Sequence, residues 1–205
     1  SYSKVFLQKI ANNKNIVVIP NPVISQNEQK NERKNIIFSV GRLIYSKRLD
    51  LLLKMFSEIE NQDYELWIVG DGLEKDNLVK LAHDLMISEK VIFWGARKDI
   101  HFFYKQAKIF AFTSVSEGFP NALLEALSFG LPSIAFDCIA GPSDLIIDGY
   151  NGFLITELDQ KTYKEKLIEL MDDNVFVKLA KNTQKHAGEF DIEKIGQKYL
   201  DTLLS

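Results

Sequence analysis

The sequence predicts a doubly wound α/β domain built on a mostly parallel sheet of about six strands. Two observations carry this expectation. From residue 35 onward, short apolar runs rich in Val, Ile, Phe and Trp recur without polar alternation, as strands buried on both faces do. Between them lie amphipathic segments with helical spacing. Strand–helix alternation of this kind implies right-handed crossovers and a parallel sheet covered on both faces.

The predicted strands, in order, are N-I-I-F-S-V (35–40), Y-E-L-W-I-V-G (64–70), K-V-I-F-W-G (90–95), K-I-F-A-F-T-S (108–114), L-P-S-I-A-F (131–136) and G-F-L-I (152–155). The helices between them fall near 48–60, 73–87, 98–107, 120–129 and 142–147. Residues 1–19 offer a short helix, Tyr2 to about Ala11, and then V-V-I-P, which need not join the sheet. Residues 21–34 are polar and carry a proline, so they read as linker. After Ile155 two or three helices follow without another strand. The last starts on an N-cap candidate, Asp191, and places Ile192, Ile195, Tyr199 and Leu203 on one stripe.

Composition narrows the function classes. A chain of 205 residues, 46% hydrophobic and 26% charged, has ample core for one large domain or two small ones. A net charge of -3 gives no electrostatic case for nucleic acid. A single cysteine, Cys138, excludes an internal disulfide and suits a reducing compartment. No apolar run approaches the roughly 18 residues of a membrane span, and no signal peptide is visible. The first residue is Ser1 rather than methionine, so a piece of a longer protein is expected.

In an open parallel sheet, ligands bind at the carboxyl ends of the strands, where loops lead into helix N-termini. Three stretches fall there. In S-V-G-R-L-I-Y-S-K-R-L-D, 39–50, Gly41 ends the first strand, Arg42 opens the loop and Lys47 stands at or just before the next helix. A cation there is disfavoured by the helix dipole unless an anion lies between, and phosphate is the usual anion. Two solvated surface cations are the bland alternative. The second stretch, V-G-D-G (69–72), is an incomplete glycine fingerprint and reads as a tight turn with no ligand.

The third is S-E-G-F-P-N-A-L-L-E-A-L, 116–127, with Pro120 suited to the first position of a helix that is apolar on nearly every side. Glu125 inside it is expected to be buried, and an ionised buried carboxylate needs hydrogen-bond donors. Helical side chains lean toward the N-terminus, so Glu125 is expected to reach the loop holding Glu117. Sugar hydroxyls are natural donors for two such carboxylates; a glutamate paired with arginine or a backbone amide is the alternative. Glycoside hydrolysis also uses two carboxylates, but the cationic loop nearby favours a phosphorylated ligand. His83, His101 and His186 lack metal-ligand spacing, and Cys138 reads as a small buried residue.

Together, G-R-x4-K (41–47), V-G-D-G, F-W-G (93–95), E-G-F-P-N-A-L-L-E (117–125), G-L-P (130–132) and G-P-S-D-L-I-x-D-G-x-N-G (141–152) resemble one family. It is the group of retaining glycosyltransferases that includes glycogen and sucrose synthases and many bacterial polysaccharide enzymes. The resemblance runs in order over residues 15–188, with the E-x7-E element most diagnostic. It implies the GT-B architecture, two Rossmann-like domains facing a cleft, of which this chain is the carboxyl-terminal, donor-binding half. Residues 1–34 would then be a remnant of or linker to an amino-terminal acceptor domain. Residues 35–188 would be the nucleotide-sugar domain, and 189–205 a helix crossing back.

By the same resemblance, Arg42 and Lys47 hold the donor diphosphate, Glu117 faces the donor sugar and Glu125 binds the ribose. Backbone N–H groups from Phe119 to Ala122 (Phe119, Asn121, Ala122; Pro120 has none) would meet the sugar or diphosphate, with Gly118 also counted in the substrate site. Gly41 lies beside the phosphates, and Gly95, Ala96 and Arg97 line the base through main chain. Two departures stand out: relatives often read K-G where this chain has Lys47-Arg48, and G-P-S-E where it has Asp144. The implied reaction needs no cofactor and no metal, because the two cations stabilise the departing diphosphate. A UDP-linked hexose or N-acetylhexosamine is the family's commonest donor, and a glycan or lipid-linked acceptor would sit on the other half. The resemblance, with a Lys-, Asn- and Ile-rich composition, implies capsule or lipopolysaccharide assembly in a bacterial cytoplasm, with membrane contact through the other half alone. A nucleotide-sugar epimerase and a non-catalytic nucleotide-sugar-binding module remain alternatives.

Overall fold

The computed structural model describes residues 17–26, 33–60, 63–139 and 141–204, so the helix expected over residues 2–11 lies outside them. Each predicted apolar run supplies a strand: β1 (Ile36–Val40), β2 (Glu65–Val69), β3 (Val91–Phe93), β4 (Ile109–Phe112), β5 (Ser133–Asp137) and β6 (Gly152–Thr156). All pair in parallel, in the order β3-β2-β1-β4-β5-β6. The chain builds outward from β1 to β3, then returns to the other side of β1 and builds outward again. The reversal falls between β1 and β4, where Ile37 pairs with Ile109 and Phe38 with Phe110. Loops leaving two such central strands run to opposite sides and open a crevice between them.

The helices are α1 (Leu49–Ser57), α2 (Lys75–Asp84), α3 (Ile100–Gln106), α4 (Asn121–Ser128), α5 (Pro142–Leu145), α6 (Gln160–Met171), α7 (Asp173–Ala187) and α8 (Ile192–Leu204). Successive strand residues point to opposite faces, which is why unbroken apolar runs fill two cores. Ile37, Leu66, Ile68, Ile109 and Ile134 pack toward α1, α2 and α6. Phe38, Trp67, Val69, Phe110 and Phe112 pack toward α3 and α4. No helix among the described residues is long and apolar enough to cross a membrane.

Two expectations change. The polar stretch 21–34 is anchored at both of its described ends. Val23 forms an isolated parallel bridge with Asp191, donating to the Phe190 carbonyl at 2.8 Å and accepting from the Ile192 N–H at 3.0 Å. Arg33 donates to the carbonyls of Tyr104 (2.8 Å), Ala107 (2.7 Å) and Phe129. Those carbonyls lie at the C-terminal ends of α3 and α4, where intrahelical partners run out. Burial lowers the Arg33 guanidinium to about 10, so it remains charged at neutral pH. The second change concerns α8. Asp191 caps it as expected, accepting from the Glu193 N–H at 3.0 Å. Of the predicted stripe, however, only Ile195 is buried (1% exposed), while Ile192 and Tyr199 are about half exposed and Leu203 is 79% exposed. Among the described residues, the apolar face of α8 is therefore buried at Ile195 alone.

Candidate functional site

The crevice is assembled by backbone contacts among the loops at the carboxyl ends of the central strands. The β1 loop rests on the turn after β2: Leu43 donates to the Asp71 carbonyl at 2.9 Å, and Glu74 donates back to Leu43 at 2.9 Å. Gly70 permits this approach. Its φ is 142°, and a Cβ there would stand 1.8 Å from the Gly41 carbonyl oxygen. The V-G-D-G turn, expected to have no ligand role, is thus the seat on which Gly41 and Arg42 are placed. Gly70 also donates to Gly95 at 2.8 Å, tying in the β3 loop.

Across the crevice, Val115 of the β4 loop donates to the Ser46 carbonyl at 3.0 Å, and Thr113 Oγ1 donates to that of Lys47 at 2.8 Å. Lys47 ends a 3-10 turn, Tyr45–Lys47, one residue short of the Arg48 that precedes α1. Its ammonium is ion-paired with Glu117, the two side chains being 21% and 14% exposed, and lies 5.7 Å from the Phe112 ring. Arg42 is exposed at the same rim, beside Gly41, Lys47, Thr113 and Ser114, and its side chain makes no hydrogen bond or ion pair among the described residues. Arg48 stands where relatives often carry glycine, and its backbone explains that preference: φ is 47°, in the left-handed region. Its guanidinium forks onto Asp50 at 2.9 and 3.1 Å and stacks 5.1 Å from Tyr45. Those contacts offset part of the strain.

On the far wall, Pro120 caps α4 rather than entering it, and its carbonyl accepts from Leu123 and Leu124. Gly141 (φ 130°) lets the G-P-S-D segment pack on Pro120, since a Cβ would stand 2.3 Å from Pro120 Cδ. Leu123, Leu124, Ala126 and Leu127 are buried, as their apolarity demands. Glu125 is only half-buried, against the expectation, because α4 turns one edge toward a cleft of about 470 Å³. That cleft is lined by Glu125, Asn121, Leu124 and His101, and by Asn21 to Ile24 of the stretch expected to be linker.

Glu125 does not join Glu117. Its Oε2 instead accepts from the Tyr104 hydroxyl at 3.0 Å, whereas Glu117 belongs to Lys47. The Tyr104 hydroxyl is equally close, 3.0 Å, to the Ala122 carbonyl. Burial and the Glu125 charge push the phenol well above its ordinary pKa, so it remains a donor. Among the main-chain groups expected to meet ligand, the Asn121 N–H is spent on the Phe119 carbonyl at 3.0 Å; those of Phe119 and Ala122 carry no bond among the described residues. Gly118 is exposed and Phe119 half-buried. Ala96 and Arg97 are exposed, and Arg97 forks onto Asp99 at 2.9 and 2.8 Å.

Tyr104, His101 and Asn21, whose Nδ2 donates to Asn121 Oδ1 at 2.9 Å, were not expected here, and no local spacing marks them. Cys138 is buried as expected, its thiol pushed up to about 11 by burial and by Glu117, which leaves it a poor nucleophile. No group of three His, Cys, Asp or Glu side chains among the described residues could hold a metal ion.

The sheet order and the crevice at its reversal define a Rossmann-like half of the GT-B type, with its ligand site at the strand ends. Residues 21–190 match the family model for glycosyl transferases group 1, and the chain belongs to that family. It is 32% identical over 200 residues to an uncharacterized glycosyltransferase of Haemophilus influenzae, covering 94% of this chain and 56% of the relative. It is 31% identical over 172 residues to the amylovoran biosynthesis glycosyltransferase AmsD of Erwinia amylovora, covering 83% and 48%. A crystal structure of a point mutant of Staphylococcus aureus TarM, in complex with fondaparinux, α-GlcNAc-glycerol and UDP, superposes with a TM-score of 0.90 at 26% identity, covering 98% of this chain and 42% of that one. The chain spans about half the length of the curated relatives it matches.

Proposed function

We propose that this chain is the donor-binding half of a retaining glycosyltransferase, accepting a UDP-linked hexose or N-acetylhexosamine. Residues 35–188 would form the nucleotide-sugar domain, with 1–34 and 189–205 connecting it to an acceptor-binding half. The single observation that carries the reading is the meeting of Lys47 and Glu117, with Arg42 beside them, at the reversal of strand order. A cation pair on one lip and a carboxylate on the other match the two ends of a sugar diphosphate.

In the reaction, an acceptor hydroxyl oxygen bonds to the anomeric carbon on the face the diphosphate leaves, and the anomeric C–O bond to diphosphate breaks. The hydroxyl proton passes to the departing phosphate, and negative charge collects there as the bond breaks. Arg42 and Lys47 stabilise that charge. Glu117 positions the sugar through its hydroxyls, and Glu125 positions the nucleotide through its ribose. Gly95, Ala96 and Arg97 offer main chain to the base. AmsD's part in amylovoran biosynthesis and the UDP in TarM support a UDP-sugar donor and a bacterial surface glycan as product. The acceptor, a glycan or a lipid-linked sugar, would be held by the other half.

Calorimetry with UDP, GDP and ADP and their sugars tests the reading. The chain is expected to bind a uridine nucleotide and to transfer little or no sugar by itself. An absence of binding at millimolar nucleotide sinks the donor-site assignment.

A further inference from the structure

We propose that Tyr104 is a positioning residue for nucleotide recognition, fixing the Glu125 carboxylate so that its second oxygen is presented to the ribose diol. The inference rests on the assignment of Glu125 to the ribose. A glutamate on a half-exposed helix edge samples several rotamers, and a diol gains most from a carboxylate already fixed before binding. Tyr104 can do the fixing because its own ring cannot move. It is fully buried, stacked on Phe129 at 5.2 Å and 14°, and edge-on to Phe38 at 5.2 Å and 81°.

The hydroxyl has one proton and two acceptors, the Ala122 carbonyl and Glu125 Oε2, each at 3.0 Å. A structural requirement to satisfy a buried phenol would be met by the carbonyl alone. The single proton is drawn toward the charged carboxylate, the stronger acceptor of the two, and the two contacts together tie α3 to Ala122 and Glu125 on successive turns of α4. Glu125 Oε1 takes no hydrogen bond among the described residues, and Glu125 lines the cleft of about 470 Å³. One oxygen is therefore occupied by the protein and the other is available.

The test compares UDP with 2′-deoxy-UDP by calorimetry on the parent chain and on Tyr104→Phe, Glu125→Asp and Glu125→Ala, with thermal melts as a fold check. Tyr104→Phe keeps the ring and removes only the hydroxyl. It is expected to weaken UDP by about three- to tenfold while 2′-deoxy-UDP changes little, so that the preference for ribose shrinks. Glu125→Asp, which withdraws the carboxylate by one methylene, is expected to shrink the same ratio. Equal losses for both nucleotides, or an unchanged ratio, in Tyr104→Phe overturn the positioning role. The parent reading has its own readout. If Glu125→Ala leaves the ratio intact, the ribose assignment itself is wrong and the inference falls with it. If Glu125→Ala abolishes the preference while Tyr104→Phe retains it, the ribose assignment stands and only the role of Tyr104 is lost.

Discussion

Lys47 and Glu117 stand 70 positions apart and meet as an ion pair between loops of two central strands. A partly exposed pair of this kind contributes at most about 1 kcal/mol to stability, so it exchanges readily for ligand contacts. Its two halves predict opposite outcomes. Lys47→Ala removes a charge-assisted contact to diphosphate and is expected to weaken UDP by roughly 10- to 100-fold in calorimetry. Glu117→Gln releases the lysine from its competitor, so bare UDP is expected to bind as tightly as to the parent, or more tightly. Discrimination among UDP-sugars should fall in the same variant. If Lys47→Ala binds UDP like the parent, the phosphate assignment is wrong. That Arg42, Lys47 and Glu117 gather at one end of the sheet was legible, because each follows an apolar run that ends as a strand. Their pairing was not. Glu125 was expected to reach toward Glu117, but strand order puts α3 beside α4 and gives Glu125 a tyrosine 21 residues earlier.

Among the elements, the glycine turn after β2 and the Arg33 contact carry stability that local sequence does not announce. Gly70→Ala must push the Gly41 carbonyl away, and is expected to cost about 2 kcal/mol or more and to weaken UDP together with stability. Urea denaturation and calorimetry on one preparation check both effects; unchanged UDP affinity would show that the β1 loop does not need this seat. Arg33→Met deprives three carbonyls at the ends of α3 and α4 of their donor, and is expected to cost about 2 to 3 kcal/mol. A loss under half of that, read by urea denaturation, would mean water replaces the guanidinium. Strand positions and helix types were readable because buried parallel strands need unbroken apolar runs. The anchoring of residues 21–26 and 33 was hidden by their polarity, since a polar segment that satisfies carbonyls composes like a linker.

At the scale of the whole molecule, two apolar cores follow directly from runs such as I-I-F-S-V, whose successive side chains feed opposite faces. The order of strands does not follow from any run, and it is the order that creates the crevice. The α8 stripe marks the limit of helical periodicity: it identifies an apolar face but not what covers it. Ile195→Ala is expected to cost roughly 2 to 5 kcal/mol, as for a core position. Leu203→Ala is expected to shift stability by under about 0.5 kcal/mol, and thermal melts of the two variants separate these outcomes. Similar losses at both positions would show that Leu203 packs on this domain after all. The lysine–glutamate pair also bears on ligand exchange. A ligand carrying both phosphate and sugar offers each partner a replacement. On the donor-site reading, a nucleoside diphosphate without its sugar would engage the lysine and leave the carboxylate without a replacement partner, so the resting pair would compete with it more than with its sugar conjugate. Such competition would be worth no more than the pair itself, about 1 kcal/mol or several-fold in affinity, and would fall on the bare nucleotide rather than on the full donor.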